Sequence, residues 1–197
     1  MKRLLRSLPI VLSLFAVPLL GIGAYSYAAT LQATIAPSIV ATYRGSNDLG
    51  SPSYNLSRAL QPSIALESGT GSYQANALFA DQRTLAASTT ENLDLAGVLT
   101  DPLGSTLTFA TVKAIQVCAA DGNTNNVVVG GADSAQLAGV FSDTSDKVVV
   151  KPGGCFIWVA PKTGATVTAT TADLLQVGNS SSGSAVTYNV VIIGTVN

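Results

Sequence analysis

The chain has 197 residues, 47% hydrophobic and only 11% charged, with ten Lys and Arg, eleven Asp and Glu, and no His. That length is a prior for one domain with a sizeable core, and so few charges disfavour disorder. The lack of His removes Ser-His-Asp and Cys-His relays, and the commonest metal ligand with them.

Lys2, Arg3 and Arg6 precede Leu8 to Ala24, an apolar run of 17 residues interrupted only by Ser13, and Ser26 and Ala28 are the small residues that follow. A basic start, an apolar helical stretch and small residues at −3 and −1 form a secretory signal peptide, cut after Ala28. The rival is an uncleaved anchor touching the membrane through residues 8–24; with Pro9 and Pro18 inside, the run is at the short limit for a bilayer span. Without the three leader charges, seven basic residues face eleven acidic ones, a net −4. A mildly acidic body of this kind does not attract nucleic acid.

Val, Thr, Ser, Ala and Gly dominate the rest, and helix formers are scarce, so the expected fold is all-β, a single β-sandwich or jelly roll. Residues 29–62 read as an N-terminal arm or edge strand, in which Leu31 to Tyr43 alternates and breaks at Pro37. The β domain proper is placed at 63–197. Ser63 to Glu67 is a strand. Gln74 to Phe79 is ambiguous and includes the option of one helical turn. Arg83 to Ser88 and Glu91 to Leu95 are short strands. Thr106 to Ala119 is the longest strand-like segment, with Leu107, Phe109, Val112, Ile115 and Val117 as core residues and a bulge or break near Ala110 to Ala114. Val127 to Val129, Thr166 to Thr170, Leu174 to Val177 and Val186 to Val196 follow as strands, with a further segment at Ala135 to Phe141. Lys147 to Pro161 carries two β-branched or aromatic runs around Pro152-Gly153-Gly154; it reads as two buried strands across a turn, the centre of the core. Short strands with turn signals at this spacing spell a sandwich.

Export would place Cys118 and Cys155 in an oxidising compartment. They are either a disulfide closing a long loop or two separately buried thiols. Two Cys without His cannot complete an ordinary zinc site, and no cofactor motif is present. Glu91 with Asp94, and Asp143 with Asp146, are the carboxylate pairs, most simply read as solvated edges and turns. Asp121 to Asn126 begins like a calcium loop, with oxygen ligands at Asp121, Asn123 and Asn125. It then departs, with Asn126 where the glycine belongs and Ala132 where the bidentate Glu belongs, so an Asx-rich turn is the better account.

Several segments resemble a family of small proteins of tailed bacteriophages and prophages. They are Gly45 to Gly50, Ala75 to Asp81, Arg83 to Ser88, Glu91 to Gly97, Leu107 to Ala110, Val112 to Ile115, Asn123 to Val127, Pro152 to Gly154 and Val186 to Thr195. The resemblance covers about residues 42–197. It implies a virion structural role, self-association and contact with other virion proteins, and it carries no catalytic motif. Residues 1–28 depart from that pattern, and Cys118 and Cys155 stand where it implies ordinary apolar residues. The expectation is a non-enzymatic surface or decoration component of a virion, a homo-oligomer without cofactor, whose outward loops carry Asp121, Asn123, Asn125, Asp143, Asp146 and Asn179. The alternative is an exported bacterial module that binds glycans or cell surfaces.

Overall fold

The structure, a computed structural model, describes residues 30–44, 51, 53–59, 63–97 and 99–196. The leader expected from the sequence, with its helical stretch and its cleavage point after Ala28, lies outside the described residues. All regular structure within them is β.

The chain opens on β1 (Ala33–Ile35), which stops at Ala36-Pro37, because proline has no N–H to give to a ladder. β2 (Ser38–Arg44) follows and pairs antiparallel with β3 (Ser53–Ala59), from Ser38↔Ala59 to Arg44↔Ser53. β4 (Ile64–Ser68) then pairs with β1, Ile35↔Ile64 to Ala33↔Leu66. The outgoing and returning chains therefore pair twice, β1 with β4 and β2 with β3, either side of the Pro37 break. β5 (Gln74–Ala75) joins β4 in parallel, giving a small sheet in the order β1-β4-β5.

β6 (Ala77–Leu85), β7 (Thr90–Asp94), β8 (Leu99–Thr100), β9 (Thr106–Leu107), β10 (Thr111–Ala119) and β11 (Val127–Gly130) follow. The chain ends with β12 (Lys147–Val150), β13 (Cys155–Val159), β14 (Ala165–Thr166), β15 (Leu174–Asn179) and β16 (Val186–Thr195). One main sheet runs β13-β10-β16-β6, with β14 also on β10; the other runs β12-β11-β15-β7. β8 and β9 form a separate pair.

Period-2 alternation explains why these two sheets face each other. On β16, Val186, Tyr188, Val190 and Ile192 are buried while Thr187, Asn189, Val191 and Ile193 are not. Ile115 and Val117 of β10 meet Ile192 and Val190 in register and point the same way. Val127, Val129, Leu175, Val177 and Leu93 answer from the second sheet, and all join one hydrophobic cluster. Each large side chain fully buried there contributes about 1.5–3 kcal/mol. A second, smaller cluster lies on the outer side of the first sheet, where Ile64, Leu66 and Ala75 pack with Leu31, Ala33, Ile35, Val159 and Ile193. The β1-β4-β5 sheet is thus a partial third layer.

The bulge expected near Ala110 to Ala114 is a register shift between Val112 and Ala114, and Leu107, Phe109, Val112, Ile115 and Val117 are all buried. Other expectations are corrected. Gln74 to Phe79 is strand, not a helical turn. Ala135 to Phe141 forms only isolated bridges, and Thr166 to Thr170 shrinks to the short β14 and a bridge at Thr168.

The main correction concerns Lys147 to Pro161. β12 and β13 do not pair with each other. β12 pairs with β11 at one sheet edge and β13 with β10 at the edge of the other sheet. The intervening Pro152-Gly153-Gly154 carries the chain between sheets. Gly153 adopts φ +73°, its N–H donates to Ala119 O, and Gly154 N donates to Lys151 O. Val148, Val149 and Ile157 are exposed, and Trp158 is half-buried against the main cluster. A short β-branched run fits an edge as well as a centre, and its periodicity does not name its neighbours.

Candidate interaction surface

The β2–β3 ribbon stands apart from the rest. All seven residues of β2 are exposed. Side chains on a strand alternate, and directly opposite residues share a face, so Ile39, Ala41 and Tyr43 lie together with Leu56 and Tyr54. The other face holds Ser38, Val40, Thr42 and Arg44 with Ser53, Asn55 and Ser57. The ribbon is therefore amphipathic, the pattern of a strand pair with one face meant for cover. Yet Tyr43 is 78% exposed, Tyr54 64% and Ile39 49%. An isolated two-stranded ribbon is marginally stable in water, and covering its apolar face is the gain open to it. Sequence reasoning missed β3: Ser, Asn and Arg hide the strand, and the alternation of Tyr54 and Leu56 was the available signal.

A second feature closes the open side between β6 and β7, the edges of the two main sheets. Glu91 accepts through Oε2 from Arg83 Nε at 2.7 Å and pairs with Arg83 Nη2 at 2.6 Å, while its Oε1 accepts from Tyr188 Oη at 2.6 Å. Arg83 Nη1 also pairs with Asp81 at 2.9 Å. The bond to Glu91 raises the Arg83 pKa further, and burial together with Glu91 pushes the Tyr188 hydroxyl well above its ordinary value. Each group has a partner within the cluster, which ties β6, β7 and β16 together as a clamp. Beside it lies an open cleft of about 400 Å³ lined by Asp81, Arg83, Asn92, Asp94 and Thr100 over Phe79, Leu93 and Leu99. Glu91 and Asp94 are not brought together as a pair: three apart on β7, they point to opposite faces, and Asp94 accepts from Ala96 N at 3.0 Å.

Cys118 and Cys155 are bonded. They sit directly opposite each other on β10 and β13, on the outer face of the first sheet, and Gln116 Nε2 donates to Cys118 Sγ at 3.0 Å. The bond ties an edge strand to its neighbour. Lys113, buried at the bulge, donates from Nζ to Lys162 O at 3.2 Å, and desolvation lowers its pKa.

The six outward loop residues divide. Asp121, Asp143 and Asp146 are exposed. Asp146 Oδ2 accepts from Ser142 N at 3.0 Å and Asp143 N at 2.9 Å, and Asp143 Oδ1 accepts from Ser145 N at 2.9 Å, which lowers the Asp143 pKa. This loop closes on itself as Asx turns. Asn123, Asn125 and Asn179 instead face inward. Asn123 imitates a neighbouring strand, donating to Thr187 O at 2.8 Å and accepting from Thr187 N at 2.9 Å. Asn125 Nδ2 reaches Asn179 Oδ1 at 3.0 Å and Ser184 O at 3.0 Å. Asn179, buried, donates to Ala86 O at 3.1 Å and Ser184 O at 2.8 Å. Their amides satisfy backbone groups that the loop leaves without strand partners. Among the described residues no group of three His, Cys, Asp or Glu could hold a metal ion.

No protein-family model matches the chain, and no curated protein matches it. Among solved structures it is similar to one described as "Bacillus endospore appendages form a novel family of disulfide-linked pili". The identity is 14%, over 61% of this chain and 89% of that chain, at a TM-score of 0.31. A likeness at that level assigns neither fold nor function to this chain.

Proposed function

We propose that this chain is a non-enzymatic structural subunit of a phage particle, a surface or decoration component that associates with copies of itself through β surfaces. The observation that carries the reading is the β2–β3 ribbon, whose Ile39, Tyr43 and Tyr54 stand exposed on one face. Burying that face against another chain would offset the marginal stability of a lone ribbon. The shared core of the two main sheets supports a β-sandwich of the jelly-roll kind. The Cys118–Cys155 bond suits an oxidising space, so the leader either exports the chain or tethers it. Light scattering of the purified chain over a concentration series tests the reading: the mass rises with concentration, and a monomer at every concentration defeats it.

The cleft between β6 and β7 favours a second reading, an exported module that binds glycans. Asp81, Arg83, Asn92 and Asp94 offer both donors and acceptors to hydroxyl groups. Glycan-array binding lost in Asn92→Ala would favour that reading over the first.

A further inference from the structure

The ribbon needs an acceptor, and one groove matches its chemistry. Leu31, Leu78, Pro102, Leu103, Leu107 and Val196 line an open, mostly apolar groove of about 320 Å³. Leu103, 76% exposed, leaves that apolar wall in water. Asp101, on the same lining, fixes the turn to Ser105 by accepting from Leu103 N at 2.9 Å and Ser105 N at 2.8 Å. Charge favours the match. Residues 30–62 carry two arginines and one aspartate, net +1, whereas residues 63–197 carry five basic and ten acidic residues, net −5. Two bodies of that charge repel, while a basic ribbon on an acidic body attracts.

We propose that the Ile39–Tyr43 face of one copy's ribbon docks in the Leu31–Leu103 groove of a second copy. Tyr43 and Tyr54 fill the apolar lining, while Arg44, on the opposite face, stays in water and adds only to the ribbon's overall positive charge. The inference rests on the self-association reading and names its partner surface. Neither Tyr43 nor Tyr54 is among the residues lining the groove of its own chain, and both stand exposed, so the contact is between copies. The contact joins two different patches. It is therefore heterologous, and copies add head to tail into a ring or an open row.

The test uses the full chain and two variants that share its leader. The ribbon variant is Tyr43→Ser with Tyr54→Ser; the groove variant is Leu103→Asp. Leu103→Lys replaces it if the circular dichroism of Leu103→Asp departs from that of the parent. Each variant alone associates about 10- to 100-fold more weakly than the parent, the usual cost of truncating an interface anchor. Mixed together, they form a discrete heterodimer, because one intact ribbon meets one intact groove and growth stops there. A groove variant that associates like the parent overturns the proposal while leaving self-association standing; symmetric ribbon–ribbon pairing, or a groove filled by the residues before Thr30, gives this result. Variants that each weaken association but fail to rescue each other overturn it too. A monomeric parent overturns both this inference and the reading beneath it.

Discussion

Replacing both cysteines with serine tests what the Cys118–Cys155 bond contributes. The bond spans a sequence separation of 37 residues. Closing a loop of that length removes unfolded-chain entropy worth about 4 kcal/mol at 25 °C in the loop-closure model. Cys155 is exposed and Cys118 half-buried, so the serines remove little packed surface and the folded state changes little. Strand pairing from Ala114↔Val159 to Val117↔Phe156 continues without the bond. The expected loss is therefore about 2–4 kcal/mol, carried almost wholly by the unfolded chain. Urea unfolding followed by Trp158, the single tryptophan, measures it, with the near-UV spectrum kept. A loss below about 0.5 kcal/mol, within the range of ordinary surface substitutions, would refute the entropy reasoning. Loss of the near-UV spectrum would show that the bond holds β13 in place in the folded state.

Three further outcomes follow from the same contacts. Asn123→Ala takes the acceptor from Thr187 N, and one of two donors from Thr187 O, which keeps Ala120 N; it costs about 1–3 kcal/mol in urea unfolding, whereas Asp121→Ala, on the same turn but exposed, changes stability little. The raised Tyr188 pKa means that the folded chain keeps a proton which the unfolded chain releases near pH 10. Stability therefore falls as pH rises above about 10, and Tyr188→Phe flattens that slope in midpoints measured on either side of that pH. Gly194→Ala would drive a methyl group into the Thr111 carbonyl and the Phe109 ring, where β16 crosses close to β10, so thermal unfolding shifts down by several degrees or soluble protein is lost.

The parts of the fold written as periodicity were legible. Val186, Tyr188, Val190 and Ile192 alternate along the last strand and are buried as that pattern requires. Pro37 divides the first strands because its missing N–H is a local fact. Pairing partners were not legible. Val148 to Val150 and Cys155 to Val159 have equal claims on several neighbours, and only the assembled sheets show them at two different edges. The Asn residues misled for a related reason. An Asn in a Gly- and Ser-rich stretch marks a turn, but whether its amide faces water or a backbone group depends on strands far away in sequence. Thr187 is 64 residues from Asn123. The cysteine pair was one of two stated options; the β10–β13 register, which sets Cys118 opposite Cys155, decides for the bond.

The most direct test of a particle-surface role is the intact mass of the chain recovered from purified phage particles, compared with host membrane and periplasmic fractions. The account predicts the chain in the particles, in many copies and two hydrogens lighter than the reduced form. Its absence from particles, with recovery only as a free monomer in the periplasmic fraction, would contradict the account.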